Sequence, residues 1–400
     1  MAERERGWFA GLTRNTVFLA LASLFCDISG EMLYPLLPVY LTQMLGAGGA
    51  AVGLIEGVAE GIQNLFQGVS GSLSDRLQRR KPIALAGYAL SALAKPLIGV
   101  AVAWPGVLGA RFTDRLGAGT RSAPRDALIA ASADEAHRGK AFGLEGAGDN
   151  AGAFLGPLIA VALLQLWRVP MRSIFYLAAL PGALAFLMVL LVREGRGEPA
   201  AKVKLDAALG RFPGPYRRYL LAAALFGLGN SSNAFLILQT RALGASLQTT
   251  ILIYAGFNLV AALVSYPAGA LSDRIGRRAL LLISFAVAFV AYAGFALAHG
   301  VVAVALLFCL YGAFQGLFRT AGKTLAADLA PPQLRASGIG WYGATVGATG
   351  LVASIAAGQL WDHVGHAAVF AVGAVFAVVG AAAVALLIPS PRSGRAEGQA

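Results

Sequence analysis

The chain has 400 residues, 57% of them hydrophobic and only 13% charged, with a net charge of +12 at pH 7. A soluble domain carries about a quarter charged residues, so a string of ordinary soluble domains is excluded and the bilayer is the expected solvent. The basic residues are spread between apolar runs and form no patch with polar or aromatic partners, which excludes nucleic-acid binding.

The charged start (Glu3, Arg4, Glu5, Arg6) runs into a full-length apolar stretch with no small-residue cleavage site, so no cleavable leader is expected. Runs of about 20 apolar residues, enough to cross the hydrocarbon core, fall at roughly 16–43, 50–74, 82–103, 105–131, 138–165, 172–193, 218–241, 247–271, 279–298, 300–329, 334–359 and 366–389. The expected architecture is an all-α membrane protein of twelve spans. Residues 1–193 form an N-terminal six-helix half, 194–217 a linker, 218–389 a C-terminal six-helix half and 390–400 a tail. The fourth run is interrupted by Arg111, Asp114, Arg115, Arg121 and Arg125; its counterpart at 300–329 is clearer.

Basic residues crowd alternate connections: Arg76, Arg79, Arg80 and Lys81 after the second span, Arg193 to Arg218 after the sixth, and Arg274, Arg277 and Arg278 after the eighth. The opposite connections are poor in Lys and Arg; Arg168, Arg172 and Arg241 are exceptions. The positive-inside rule then puts both termini and the linker in the cytoplasm, in a multi-pass protein of the cytoplasmic (inner) membrane. Cys26 and Cys309 both fall within spans, so packing is expected of them and neither a disulfide nor a metal site. No nucleophile–base set, HExxH, P-loop or CxxC pattern occurs, and neither an enzyme nor a cofactor is expected.

One pattern repeats 198 positions apart: Gly71-Ser72-Leu73-Ser74-Asp75-Arg76-Leu77-Gln78-Arg79-Arg80 and Gly269-Ala270-Leu271-Ser272-Asp273-Arg274-Ile275-Gly276-Arg277-Arg278. Each sits between two apolar runs, and internal duplication of a polytopic chain is a transporter architecture. The pattern resembles the signature loop of the major facilitator superfamily, with Gln78 in place of the usual Gly. Asp134 to Gly139 and Pro332 to Ala336 also resemble that family, and the stretch Arg111 to Asp126 resembles a poorly characterised prokaryotic subgroup. The resemblance covers the whole chain. It implies a central cavity between two pseudo-symmetric halves that rock in alternating access. The fifth span carries Gly148, Gly152, Gly156 and Pro157, similar to the G-x-x-x-G-P-x-x-G stretch of proton-coupled antiporters, with Ala160 in place of the last Gly. Glycines at that spacing let a neighbouring helix approach backbone to backbone.

Ionisable groups inside a span are costly and so mark candidate function. Asp27 and Glu31 in the first span, Glu56 and Glu60 in the second and Glu145 and Asp149 in the fifth all repeat the i, i+4 spacing that places two groups on one helix face. The fourth span carries Arg111, Asp114, Arg115, Ser122 and Arg125 along one stripe, and Lys95 lies in the third. From the linker onward every acid lies at a loop or helix end, and where Asp27 and Glu31 fall in the first span the seventh has roughly Leu228 and Ser232. The second half offers Asn230, Asn233, Tyr254, Asn258, Tyr311 and Gln315 instead. Asp27 and Glu31, then Asp149 and Glu145, are expected to couple protons. Two carboxylates one turn apart do not both ionise readily, so Asp27 and Glu31 are expected to share about one proton. Glu60, Arg111, Asp114, Arg115, Asn230, Asn233 and Gln315 are expected in the substrate cavity. A conformational latch is expected from Gly71, Asp75, Arg76, Arg79, Arg80, Arg121 and Arg125. The same offset gives Gly269, Asp273, Arg274, Arg277, Arg278, Arg319 and Lys323, with Asp75 and Asp273 as the partners of the basic pairs.

The function expected is proton-coupled export of a small molecule by a chain that acts as a monomer in the bilayer. The alternatives are a symporter whose Arg111, Arg115 and Lys95 hold an anionic solute, or a receptor or lipid-scrambling scaffold of the same fold.

Overall fold

The computed structural model describes residues 12–77, 79–133, 137–194, 209–331 and 334–388, and these contain helices and no strand. Helix α1 (Arg14–Glu31) starts at Thr13, whose hydroxyl accepts the Thr16 N–H. It breaks before Pro35 and Pro38, which have no N–H to continue the ladder, and resumes as α2 (Leu37–Val39) and a π-turn over Tyr40–Met44. The first half continues with α3 (Gly49–Leu77), α4 (Arg80–Val100), α5 (Trp104–Ala131), α6 (Arg138–Gln165), α7 (Met171–Leu177) and α8 (Ala179–Leu191). The second comprises α9 (Gly214–Gly227), α10 (Ala234–Ala242), α11 (Leu247–Ile275), α12 (Arg277–Leu297), α13 (Val301–Leu329), α14 (Arg335–His363) and α15 (His366–Leu387).

Three of the twelve expected runs are therefore not single helices. The first and seventh are broken near mid-membrane, and the sixth is interrupted at Ala178, ahead of Pro181. The seventh also begins earlier than expected, at Gly214, inside the stretch assigned to the linker. Among the described residues eight helices are long and apolar enough to cross a membrane unaided. The runs that fall short are α1, α3, α5 and the α9–α10 pair. Two of these carry Glu56, Glu60, Arg111, Asp114 and Arg115. They are admitted to the bilayer because neighbouring helices cover their polar faces.

Packing repeats between the halves. α1 lies on α6 as α9 lies on α14, and α4 on α5 as α12 on α13. The halves meet along two seams that the repeat relates to each other, α3 with α14 and α6 with α11, and where α2 meets α10. Tyr34 and Ser232, 198 positions apart, share a 3.2 Å hydroxyl contact; residues at the repeat offset that touch each other lie on the pseudo-two-fold axis.

The seams are tight only at the end away from the termini. There a Cβ on Gly53 would lie 2.2 Å from the Ser354 carbonyl oxygen, and one on Gly358 would lie 2.4 Å from that of Gly49. Nearer the termini, Gly68 and Gly340 on the same two helices and Gly143, Gly146 and Gly269 on the other two face open space. The halves converge at one membrane face and diverge towards the other. The hydrophobic core agrees: one cluster runs through both halves, while a smaller one around Leu19, Tyr88, Leu128 and Val189 stays inside the first.

Candidate functional site

The polar interior of the first half is built on α5. Arg111 grips Glu56 of α3 with Nε and Nη2, both at 3.1 Å, and donates Nη1 to Asp114 Oδ2 at 3.1 Å. The other Asp114 oxygen takes Lys95 of α4. These four side chains are 3–6% exposed and their formal charges cancel. Arg115 lies 3.8 Å from Asp114 and donates to Gln63 Oε1 at 3.0 Å. Arg111 and Asp114, expected in the substrate cavity, are thus engaged in a buried network that ties three helices together. Arg111 also lies over the Tyr34 ring at 5.6 Å.

The expected Asp27–Glu31 pair is divided. Asp27 faces Asp149 of α6. Glu31, one turn further along α1, reaches the second half: its Oε2 accepts the Tyr254 hydroxyl at 2.9 Å and faces Asn258 Nδ2 at 3.5 Å. Asn258 donates to the Ala153 carbonyl at 2.9 Å, and Tyr254 stacks on Tyr34 at 5.4 Å. Small residues make this possible. A Cβ on Gly152 would lie 2.6 Å from the Leu24 oxygen and 2.8 Å from Asp27 Cβ, and one on Gly156 would lie 2.8 Å from Glu31 Cβ. The glycine face of α6 holds α1 close enough for its acids to reach Asp149 and α11. Gly148 continues that face against Ala20, and Pro157 lies inside α6.

Glu145 is placed differently from Asp149. It accepts Ser23 Oγ at 2.7 Å and pairs with Arg125 at 3.0 Å, while Arg125 also bonds Asp126 at 2.9 Å. In the second half Asn230 Oδ1 accepts the hydroxyls of Tyr292 (2.8 Å) and Tyr311 (3.2 Å), and Gln315 donates to Tyr311 at 3.2 Å. Glu60 lies against α14, where a Cβ on Gly350 would be 2.9 Å from its Oε2. Asn233 precedes α10 without capping it.

The side chains of Asp75, Arg76 and Asp273, and all of Gln78, lie outside the described residues, so the expected latch partners are not placed. Five of the basic residues around them contact groups of their own halves. Arg125 pairs with Glu145, and Arg121 stacks on Tyr88 at 5.0 Å. Arg80 donates to the Ala127 carbonyl, Arg277 pairs with Asp328 at 3.0 Å, and Arg278 donates to the Ala385 carbonyl. Arg79 precedes α4; Arg274, Arg319 and Lys323 are exposed. Gly71 packs on Ala123, Gly269 faces open space, and Gly276 has φ +88°, a backbone that favours glycine.

One group went unassigned in the sequence. The Asp362 carboxylate accepts the Gly49 and Ala50 amides at 2.7 and 2.8 Å, capping α3 from the far half of the molecule. A negative charge there also meets the positive end of the helix dipole. Trp361 stacks on His366 at 3.8 Å beside it. Asp362 stands out in sequence only as a lone acid between the last two spans; its partners are 313 and 312 residues away.

Two six-helix halves around polar mid-membrane groups define a secondary transporter fold. The Major Facilitator Superfamily profile matches residues 19–217 and 219–399, and the chain belongs to that superfamily: it is a multi-pass membrane transporter and not an enzyme. It is 32% identical over 374 residues to an uncharacterised MFS-type transporter of Methanocaldococcus jannaschii, covering 92% of this chain and 93% of that one. It is 26% identical over 325 residues to the multidrug resistance protein MdtG of Klebsiella pneumoniae, covering 77% and 78%. The solved nucleoside transporter NupG shares the fold, with a TM-score of 0.77 at 16% identity over 94% of this chain and 99% of that one.

Proposed function

We propose that this protein exports a small molecule across the cytoplasmic membrane in exchange for protons. The observation that carries the reading is the Glu31 carboxylate. It is an ionisable group of the first half bonded to Tyr254 and Asn258 of the second, at the level where the two halves converge. Those bonds exist only while this end is closed, so the charge on Glu31 and the opening of the seam are linked. Neutralising Glu31 weakens its acceptor oxygen and favours separation of the halves; ionising it strengthens the closure. Asp27 and Asp149 supply two further carboxyls that face each other in the first half. The multidrug name of the MdtG relative supports export. The basic connections support cytoplasmic termini, which makes the described state the one open to the cytoplasm. Of the cations an anion symporter would use, Lys95 and Arg111 are already neutralised by buried acids, which favours export over that alternative. The chain is expected to work as a monomer, with no cofactor.

The test is a thermal-shift screen of the purified protein against a chemically diverse solute panel at two pH values. A ligand that binds only the folded state raises its stability, so at least one solute should stabilise it, with a pH-dependent shift. Solutes that stabilise equally at both pH values would contradict proton coupling, and a panel with no response would favour a scaffold.

A further inference from the structure

Between the Asp27–Asp149 pair and Glu31 lies a cavity of about 50 Å³. It is lined by residues of α1, α4 and α5 of the first half. Three acids (Asp27, Glu31, Asp114) and three bases (Lys95, Arg115, Arg121) face it. The balance of charge favours neither an anion nor a cation. The volume is too small for an organic solute, but at about 10–15 Å³ per water it holds roughly three to five. The Arg121 Nε and, beneath that guanidinium, the Tyr88 hydroxyl are buried without a protein partner. Buried donors of this kind call for water.

We infer that this cavity is a water-filled proton relay that joins Glu31 to Asp27 and, beyond it, Asp149. The inference rests on the reading of Glu31 and Asp27 as the coupling groups and explains how they work together. In the described state Glu31 is held in the closed seam by Tyr254 and Asn258. Asp149 lies on the stretch of α6 that continues, through Gly146 and Gly143, towards the open end. A proton taken up by Glu31 while the seam is open leaves through the cavity once the seam closes. The Glu31 O–H gives its proton to the first water. Each water breaks one O–H bond and forms another, and the last delivers a proton to a carboxylate oxygen of the pair. No other reactant is consumed. The groups facing Asp27 are Asp149 from α6, Arg121 from α5, Lys95 from α4 and its neighbour Cys26; those facing Glu31 are Arg115 and Arg111 from α5 and Tyr254 and Asn258 from α11.

Gly30 provides the test. It lines the cavity, and a Cβ there meets nothing within 4 Å, so the side chain of Gly30→Leu starts in open space and is directed at the water space. The purified full chain is subjected to a pH jump and followed by infrared absorption of the carboxyl C=O bands, assigned by their loss in Glu31→Gln and Asp27→Asn. The Glu31 band should respond at least about tenfold more slowly in Gly30→Leu, a barrier increase of about 1.4 kcal/mol. The Asp27 band should respond as in the parent and Gly30→Ser should be unaffected. If Gly30→Leu does not fold, Ala118→Ile fills the cavity from the opposite wall and must give the same result. An unchanged Glu31 response, or equal slowing of both bands, overturns the relay. Failure of either single substitution to remove any pH-sensitive band overturns the assignment of the coupling groups instead.

Discussion

Replacing Asp114 by Asn isolates the energetics of the buried charges. Asp114 is 4% exposed and holds Lys95, Arg111 and the nearby Arg115. The amide keeps the shape of the side chain and loses the charge. Lys95, 3% exposed and with no other partner among the described residues, is then left as an uncompensated buried cation; Arg111 keeps its two bonds to Glu56. Removing one member of a buried ion pair costs about 3–5 kcal/mol, whereas replacing both by apolar groups of similar volume is often close to neutral. Asp114→Asn should therefore destabilise the protein by about 3–5 kcal/mol, and adding Lys95→Met should recover most of that loss. The assay is reversible denaturant unfolding in detergent of the parent, both single variants and the double variant. A loss below about 1 kcal/mol for Asp114→Asn, the range of exposed pairs, would refute the network's structural role. So would a double variant no more stable than the single one.

Three further outcomes follow from packing and topology. Gly152→Ala places a Cβ 2.6 Å from the Leu24 oxygen and should cost about 1–3 kcal/mol by overpacking. Gly146→Ala on the same helix meets open space and should be neutral or up to about 1 kcal/mol stabilising; unfolding in detergent measures both. Asp362→Asn weakens the cap on α3 and should shift the protein towards the state open at that end, read as faster labelling of a cysteine placed at the neighbouring buried Val52; an unchanged rate would remove Asp362 from the closure. In a background lacking Cys26 and Cys309, a cysteine at exposed Met44 should be labelled from outside intact cells and one at exposed Arg79 should not. Reversed labelling would invert the orientation and with it the direction of export.

The fold was legible because the bilayer imposes long apolar runs and the repeated loop pattern marks the duplication. The breaks in the first and seventh spans were harder to read, although Pro35, Pro38 and Gly229 were in plain view, because a run of apolar residues looks continuous whether or not its backbone is. The site was legible as a set of residue types and illegible as a set of partners. The i, i+4 spacing put Asp27 and Glu31 on one face and suggested that they act on each other. Packing turned Asp27 towards Asp149, 122 positions later in the chain, and Glu31 towards Tyr254, 223 positions away. The stripe on α5 mixed residues with different roles: Arg111 is taken up by a neutral network with Glu56 and Asp114, while Asp114 and Arg115 also face the cavity beside Glu31. Periodicity along one helix cannot separate these, because the neighbour that neutralises each charge belongs to another helix.

The central claim, that Asp27 and Glu31 link proton movement to solute movement, is tested most directly in proteoliposomes with a solute identified by the thermal-shift screen. Two fluxes are compared: solute movement driven by an imposed pH gradient, and solute exchange at equal pH on both sides. Asp27→Asn and Glu31→Gln should each abolish the first and retain at least part of the second. Gradient-driven accumulation at the parent rate in both variants would contradict the account and leave the two carboxyls as packing groups.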